Sequence, residues 1–222
     1  MSLVELIAQA DERGLAASGL ACLDRCVPLL GGDDDEVLRP LWTSLVDGEA
    51  WGERVVKARA DLGESGDPGE SAGAGEFDLG SGFASGADFG LDPGAWADAG
   101  SGSEASPDGR AALLARRMLA TIPVEPSVDT LRAWADTCSV AALRIHQLLD
   151  IAADGTSSVA ARREGRTDGM SPLVAAELRR QTAILELLAE RGAGGLRLVL
   201  GQSTEGRRVM RAVVSRRARG RA

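Results

Sequence analysis

Apolar residues recur every three to four positions over residues 1–62, which is typical of amphipathic helices. Ser2 and Glu5 match a capping box at the start of the first helix, and Gly14 is expected to end it. A second helix is predicted over about 15–30, with Pro28 disturbing its last turn. Two more helices follow the Gly31-Gly32 break, and their apolar positions are Leu41, Trp42, Leu45, Val46, Trp51, Val55 and Ala58. The pattern predicts an N-terminal module of short helices.

Helical periodicity returns in residues 109–191. A short helix is predicted over 110–119, and a long one begins at Ser127 or Asp129. The long helix carries a heptad-like seam formed by Leu131, Trp134, Cys138, Ala141, Ile145 and Leu148. After a polar loop over 154–170, Ser171-Pro172 begins another helix that ends at Gly192. We expect a helical hairpin, in which the seam on 131–152 closes on helix 171–191 or on a second chain as a homo-oligomer.

Residues 63–108 differ in kind from both helical regions. The segment has 46 residues with 12 Gly, 10 acidic side chains and no basic one. Such a chain buries too little apolar surface to offset the entropy lost on ordering. The segment is therefore predicted to be a disordered linker. The fold class expected from the whole pattern is all-α, with two small helical modules joined by a long, acidic, Gly-rich linker.

Charge divides the chain of 222 residues, whose net charge is -8, into unequal parts. The net charge is -16 over residues 1–108, 0 over 109–190 and +8 over 191–222. Residues 192–222 are predicted to be an Arg-rich tail that contains a short basic amphipathic helix. The asymmetry indicates two different partners, or attraction between the acidic linker and the basic tail.

The remaining composition bears on location. The start of the chain does not resemble a secretion signal, and no apolar run approaches the roughly 18 residues of a membrane span. The three Cys have no disulfide-framework spacing, and the cations are Arg except for Lys57. We expect a cytoplasmic protein, and the Arg bias is typical of GC-rich bacterial coding.

Candidate chemistry is sparse. Cys22 and Cys26 share one helix face, and Cys138 and His146 lie on another helix, so a zinc site built from these four residues is one alternative. Buried structural cysteines are the commoner use of such residues. No nucleophile or P-loop pattern accompanies them, and aromatic residues make up 3% of the chain. We expect a protein that is not an enzyme and that needs no cofactor or metal.

Two segments carry the candidate binding residues. The linker holds all three Phe of the chain and one Trp among its acidic residues, and these predicted partner-binding residues are Phe77, Phe83, Phe89 and Trp96. The tail holds the predicted anion-binding residues Arg207, Arg208, Arg211, Arg216 and Arg217. The expected function is a non-catalytic adaptor or regulator that binds a protein partner. The alternative is a binder of nucleic acid or anionic surfaces through the tail.

Overall fold

Helices form the regular structure of this chain. The computed structural model describes residues 1–31, 36–63, 106–150 and 158–220, and these residues contain no β-strand, so the all-α prediction is confirmed. The helices are α1 (Leu3–Gln9), α2 (Glu12–Cys26), α3 (Arg39–Asp47), α4 (Trp51–Gly63), α5 (Pro107–Ala120), α6 (Val128–Leu149), α7 (Val159–Arg163), α8 (Pro172–Arg191) and α9 (Leu196–Arg219), with 3-10 turns at Val27–Leu29 and Gly192–Gly195.

The N-terminal helix boundaries are set by side-chain caps. The capping box of α1 is confirmed, because the Glu5 amide donates to Ser2 Oγ at 3.3 Å and the Ser2 amide donates to Glu5 Oε2 at 2.7 Å. The prediction that Gly14 ends this helix is wrong. Asp11 caps α2 instead, accepting from the Gly14 amide at 2.7 Å, so Gly14 lies in the first turn of α2. An acidic cap in front of the four unpaired amides of a new helix is a stronger signal than one glycine.

Three boundaries in the C-terminal half follow or correct the expectations. Gly192 ends α8 as predicted, with a φ of 52° that favours glycine. The predicted loop 154–170 instead contains the short helix α7, which Ser158 caps by accepting from the Ala161 amide. The basic helix of the tail is not the short helix that the sequence predicts, because it extends over 24 residues, from Leu196 to Arg219.

Helix α2 lies at the centre of the fold. Thirteen of its 15 residues are buried, and it packs mainly against α6 and α9. Two glycines permit the close approach of these helices. A Cβ at Gly19 would come within 2.5 Å of the Trp134 ring on α6, and a Cβ at Gly206 on α9 would come within 2.2 Å of Arg25 Cδ. The helices from residues 1–62 and those from 109–220 therefore share one hydrophobic core.

The seam on α6 is covered within the same chain. Leu131, Trp134, Cys138 and Ile145 are each at most 1% exposed. Their helix packs against α8, as the hairpin prediction requires, but more extensively against α2 and α5. Trp134 also donates from Nε1 to the Met118 carbonyl at 3.1 Å. The sequence pattern does not pair α6 with α2, because small and apolar residues lie around most of α2 and favour no single partner.

Candidate functional site

The cysteines proposed as metal ligands lie in the hydrophobic core. Cys22, Cys26 and Cys138 are free thiols with exposures of 1%, 0% and 0%. Burial raises the pKa of Cys22 to about 12, and it raises the pKa of the other two thiols as well. Within the described residues, which include His146 and all three cysteines, no group of three His, Cys, Asp or Glu side chains is placed to hold a metal ion. The thiols therefore pack as small apolar side chains.

A buried polar network lies beside these cysteines, and sequence patterns did not predict it. Arg25 on α2 donates to both carboxylate oxygens of Glu177 on α8, from Nε at 2.9 Å and from Nη2 at 2.5 Å. The two side chains are 1% and 0% exposed. This is a bidentate, charge-assisted pair inside the core.

The network continues from α8 to α6 and α7. Gln181 donates to Glu177 Oε1 at 2.8 Å and accepts from Ser139 Oγ at 2.6 Å. Arg163 on α7 donates to Ser139 Oγ at 3.1 Å and pairs with Asp136. These hydrogen bonds connect α2, α6, α7 and α8, so each of the four helices has a polar side chain that fixes its position relative to the others.

His146 approaches the same carboxylate from α6. Its Nδ1 lies 2.7 Å from the Ala142 carbonyl, which can only accept, so Nδ1 carries the proton. Its Nε2 lies 3.6 Å from Glu177 Oε2. Burial lowers the pKa of His146, and the nearby Glu177 offsets only part of that effect. Burial alone would raise the pKa of Glu177, but the positive charge and hydrogen bonds of Arg25 outweigh it and hold that pKa below its usual value. The resting network is therefore a charged Arg25–Glu177 pair beside a neutral imidazole.

This network is enclosed, and it positions helices. Its central side chains, Arg25, His146, Glu177 and Gln181, are at most 2% exposed. A sequence signal for it does exist on α8: Glu177 and Gln181 are four apart and interrupt the apolar stripe of Val174, Leu178 and Ile184. Polar residues on a buried face need partners from other helices. The signal does not identify those partners, because Arg25 is 152 residues away along the chain.

The predicted anion-binding arginines of α9 lie on different sides of the helix. Arg207 is 5% exposed and donates to the buried Asp24 at 3.1 Å. Arg217 is half-buried and donates to Asp108 Oδ1 at 2.7 Å and to the Leu149 carbonyl at 3.3 Å. Arg208, Arg211 and Arg216 are exposed. The predicted partner-binding residues Phe77, Phe83, Phe89 and Trp96 lie outside the described residues.

An apolar groove of about 570 Å³ runs between the end of α6, the start of α8 and the last turns of α9. Its floor and walls are mostly aliphatic, with Leu149, Leu173, Val209 and Val213 among the lining residues. The last three are only partly buried. The charged residues that line it are Asp150, Arg217, which is paired with Asp108, and the exposed Arg216. This cavity will be called the α8–α9 groove.

Comparisons with known proteins add no functional assignment. No family model, no curated protein and no solved structure matches this chain. In the described ranges, no helix combines the length and apolar character that crossing a bilayer requires.

Proposed function

We propose that this protein is a non-catalytic adaptor whose helical body presents the acidic, aromatic-bearing segment 64–105 to a protein partner. The observation that carries the proposal is the composition of that segment. It has 42 residues with 9 acids and no base, and it holds all three Phe of the chain together with Trp96. In such a composition the acidic residues favour solvation, and the bulky apolar residues between them can make contacts with a partner.

The attachment of the segment to the body supports this role. The helix before it, α4, is fixed by Trp51, whose Nε1 donates to the Pro123 carbonyl at 2.7 Å, and by Arg59, which donates to the Ile122 carbonyl at 2.6 Å. The helix after it, α5, begins at Pro107 and packs on α6. The two helices that flank the segment are therefore both anchored on the helical body.

The reduced, buried state of the thiols fits a cytoplasmic location. Free thiols with exposures of 0–1% are compatible with a reducing compartment, and their placement in the core gives them a packing role. We therefore expect the adaptor to work in the cytoplasm of a bacterial host.

The test is co-purification of the tagged full chain from its host. In one variant the four aromatic residues of the segment, Phe77, Phe83, Phe89 and Trp96, become Ser. In the matched control, four serines of the same segment, Ser71, Ser81, Ser85 and Ser101, become Ala. We expect the wild type and the control to retain the same protein partner and the aromatic variant to lose it. Equal retention by all three proteins would contradict the proposal.

A second candidate function is binding of an anionic surface through α9. Arg197, Arg208, Arg211 and Arg219 are all exposed, and their spacing places them on the side of α9 opposite its buried residues Val199 and Met210. The row extends over about 33 Å at 1.5 Å per residue. A row of guanidinium groups is suited to phosphates of nucleic acid or lipid headgroups.

Salt distinguishes this candidate from the first. Binding to nucleic acid through four arginines should weaken roughly as the third to fourth power of salt concentration. A variant with Arg208 and Arg211 changed to Gln should lose about half of that slope. If recovered nucleic acid shows no salt dependence, or if the variant keeps the wild-type slope, the arginine row is not the binding surface.

A further inference from the structure

The α8–α9 groove has the chemistry to take an aromatic side chain that is flanked by acids. Val209, Val213 and Leu173 expose aliphatic surface in it, and Arg216 on its edge is exposed to solvent. Partly buried aliphatic surface favours a bulky apolar group, and a neighbouring guanidinium favours a carboxylate next to that group. A purely apolar peptide would lack the carboxylate, and a basic peptide would be repelled by the guanidinium.

The acidic segment re-enters the described structure beside this groove. Ser106 caps α5, and Asp108 in the first turn of α5 accepts from Arg217 Nε at 2.7 Å. Arg217 also lines the groove and donates to the Leu149 carbonyl at its floor. The point at which segment 64–105 joins the described structure therefore lies beside Arg217, a lining residue of the groove.

The segment has a suitable residue within reach of this point. Trp96 precedes Ser106 by ten residues, with Asp92 and Asp98 close on either side. Ten residues span at most about 33–36 Å when extended, which exceeds the length of two turns of α9 several times over. Attachment at Ser106 also gives the segment an effective concentration near the millimolar range at the groove.

A nearer segment fits the groove less well. Residues 151–157 follow Asp150 at the groove edge, but they contain one acid, Asp154, and no aromatic residue. Segment 64–105 combines nine acids with four aromatic residues, and it is the occupant whose side-chain chemistry is more complementary to the groove.

We infer that the α8–α9 groove is the intramolecular docking site of segment 64–105, with Trp96 against the aliphatic surface and a neighbouring acid toward the exposed Arg216. The inference holds whether or not the segment also binds another protein. Its regulatory consequence rests on the proposed function: a partner that binds the segment competes with the groove for it.

Fluorine NMR of the full chain labelled with 5-fluorotryptophan tests the docking directly. The chain has four Trp, so Trp96 is assigned from a Trp96→Phe sample, and the other three resonances report whether the body remains folded. The groove variants are Val213→Asp and Arg216→Glu. The matched controls are Leu198→Asp and Arg197→Glu, which introduce the same charges at exposed positions near the other end of α9.

We expect the Trp96 resonance of the wild type to be displaced from its frequency in the urea-unfolded chain, and to be independent of protein concentration. Val213→Asp and Arg216→Glu should return it to the unfolded frequency while the other three resonances remain dispersed, and the two controls should leave it displaced. Arg216→Glu changes an exposed residue, so its result is informative even if Val213→Asp unfolds the body.

Three results would overturn the docking. The first is a wild-type Trp96 resonance at the unfolded frequency. The second is a displacement that grows with protein concentration, which would place the segment on a second copy of the chain. The third is a displacement that both groove variants leave unchanged. None of these results depends on a partner, so they are separate from the co-purification that tests the adaptor function.

Discussion

Replacing Arg25 by Met should destabilise the fold strongly, because it leaves the Glu177 carboxylate buried without its main counter-charge. Methionine retains most of the aliphatic stem that packs beside Gly206, so the change removes mainly the guanidinium. Two donors at 2.9 and 2.5 Å are lost, and Gln181 remains as a donor at 2.8 Å.

The magnitude follows from the burial of the pair. Two unit charges 4 Å apart interact by about 4 kcal/mol at an effective dielectric constant of 20. Breaking a buried ion pair by removing one partner costs about 3–5 kcal/mol. Because whole domains are stable by only about 5–15 kcal/mol, the Arg25→Met variant should lose a large part of its stability. The matched surface change, Lys57→Met, breaks an exposed pair with Asp61 and should cost less than about 1 kcal/mol.

A double-mutant cycle measured by urea unfolding and circular dichroism at pH 7.5 separates the pair from its surroundings. Arg25→Met and Glu177→Leu should each be destabilising, and the double variant should be more stable than the sum of the two losses predicts, by about 2 kcal/mol or more. The loss in Arg25→Met should also shrink as the pH falls from 8 to 6, because His146 then protonates beside the uncompensated Glu177. Additive losses, or a loss below 1 kcal/mol for Arg25→Met, would refute the assignment of a buried ion pair.

Three further predictions concern the core. Gly19→Ala should lower the free energy of unfolding by about 1–3 kcal/mol or more, because the added Cβ meets the Trp134 ring. The control Gly201→Ala, on open α9 surface, should be neutral or stabilising by up to about 1 kcal/mol. Equal effects of the two changes in thermal unfolding would contradict the close approach of α2 and α6. Burial in the folded state holds the pKa of His146 below its ordinary value, so protonation of His146 favours the unfolded chain. The free energy of unfolding should therefore be unaffected by His146 above about pH 6.5. It should fall by up to about 1.4 kcal/mol per pH unit as the pH falls from there toward the lowered pKa. A His146→Gln variant that keeps the wild-type slope of unfolding free energy between pH 5 and 7 would exclude this source. The pKa of the Cys22 thiol is raised to about 12 by burial, so all three cysteines should resist thiol reagents at pH 8 until the chain unfolds, and rapid stoichiometric labelling of the folded protein would show that they are accessible.

Local features were predictable from the sequence where one short pattern determines one boundary. The capping box at Ser2 and the stop at Gly192 lie where the sequence places them, and Ser127 is the cap of the two residues, Ser127 and Asp129, between which the pattern did not decide. The error at Gly14 arose because two signals compete over four residues, and the Asp11 cap is the stronger one. The residues that form such a helix boundary lie within one turn of each other, so a short stretch of sequence is enough to predict it.

The packing of the helices was not predictable in the same way. Nothing local marks Glu177 as the partner of Arg25, which is 152 residues away, or Asp24 as the partner of Arg207, which is 183 residues away. Charged residues normally face solvent, so the sequence predicts that Arg207 binds anions, whereas its buried guanidinium donates to Asp24 within the fold. Long-range pairing depends on which faces meet, and helix α2 is apolar on too many sides to indicate its neighbours.

We propose that the acidic segment, presented by the helical body, is the part of this protein that binds a protein partner. The most direct measurement identifies what co-purifies with the full chain from its host at low and at high salt, beside a variant that lacks residues 64–105. We expect one protein partner that persists at high salt with the full chain and is absent from the deletion variant. Nucleic acid or lipid that is released by salt and recovered equally with both chains would contradict it, and would assign the binding to α9.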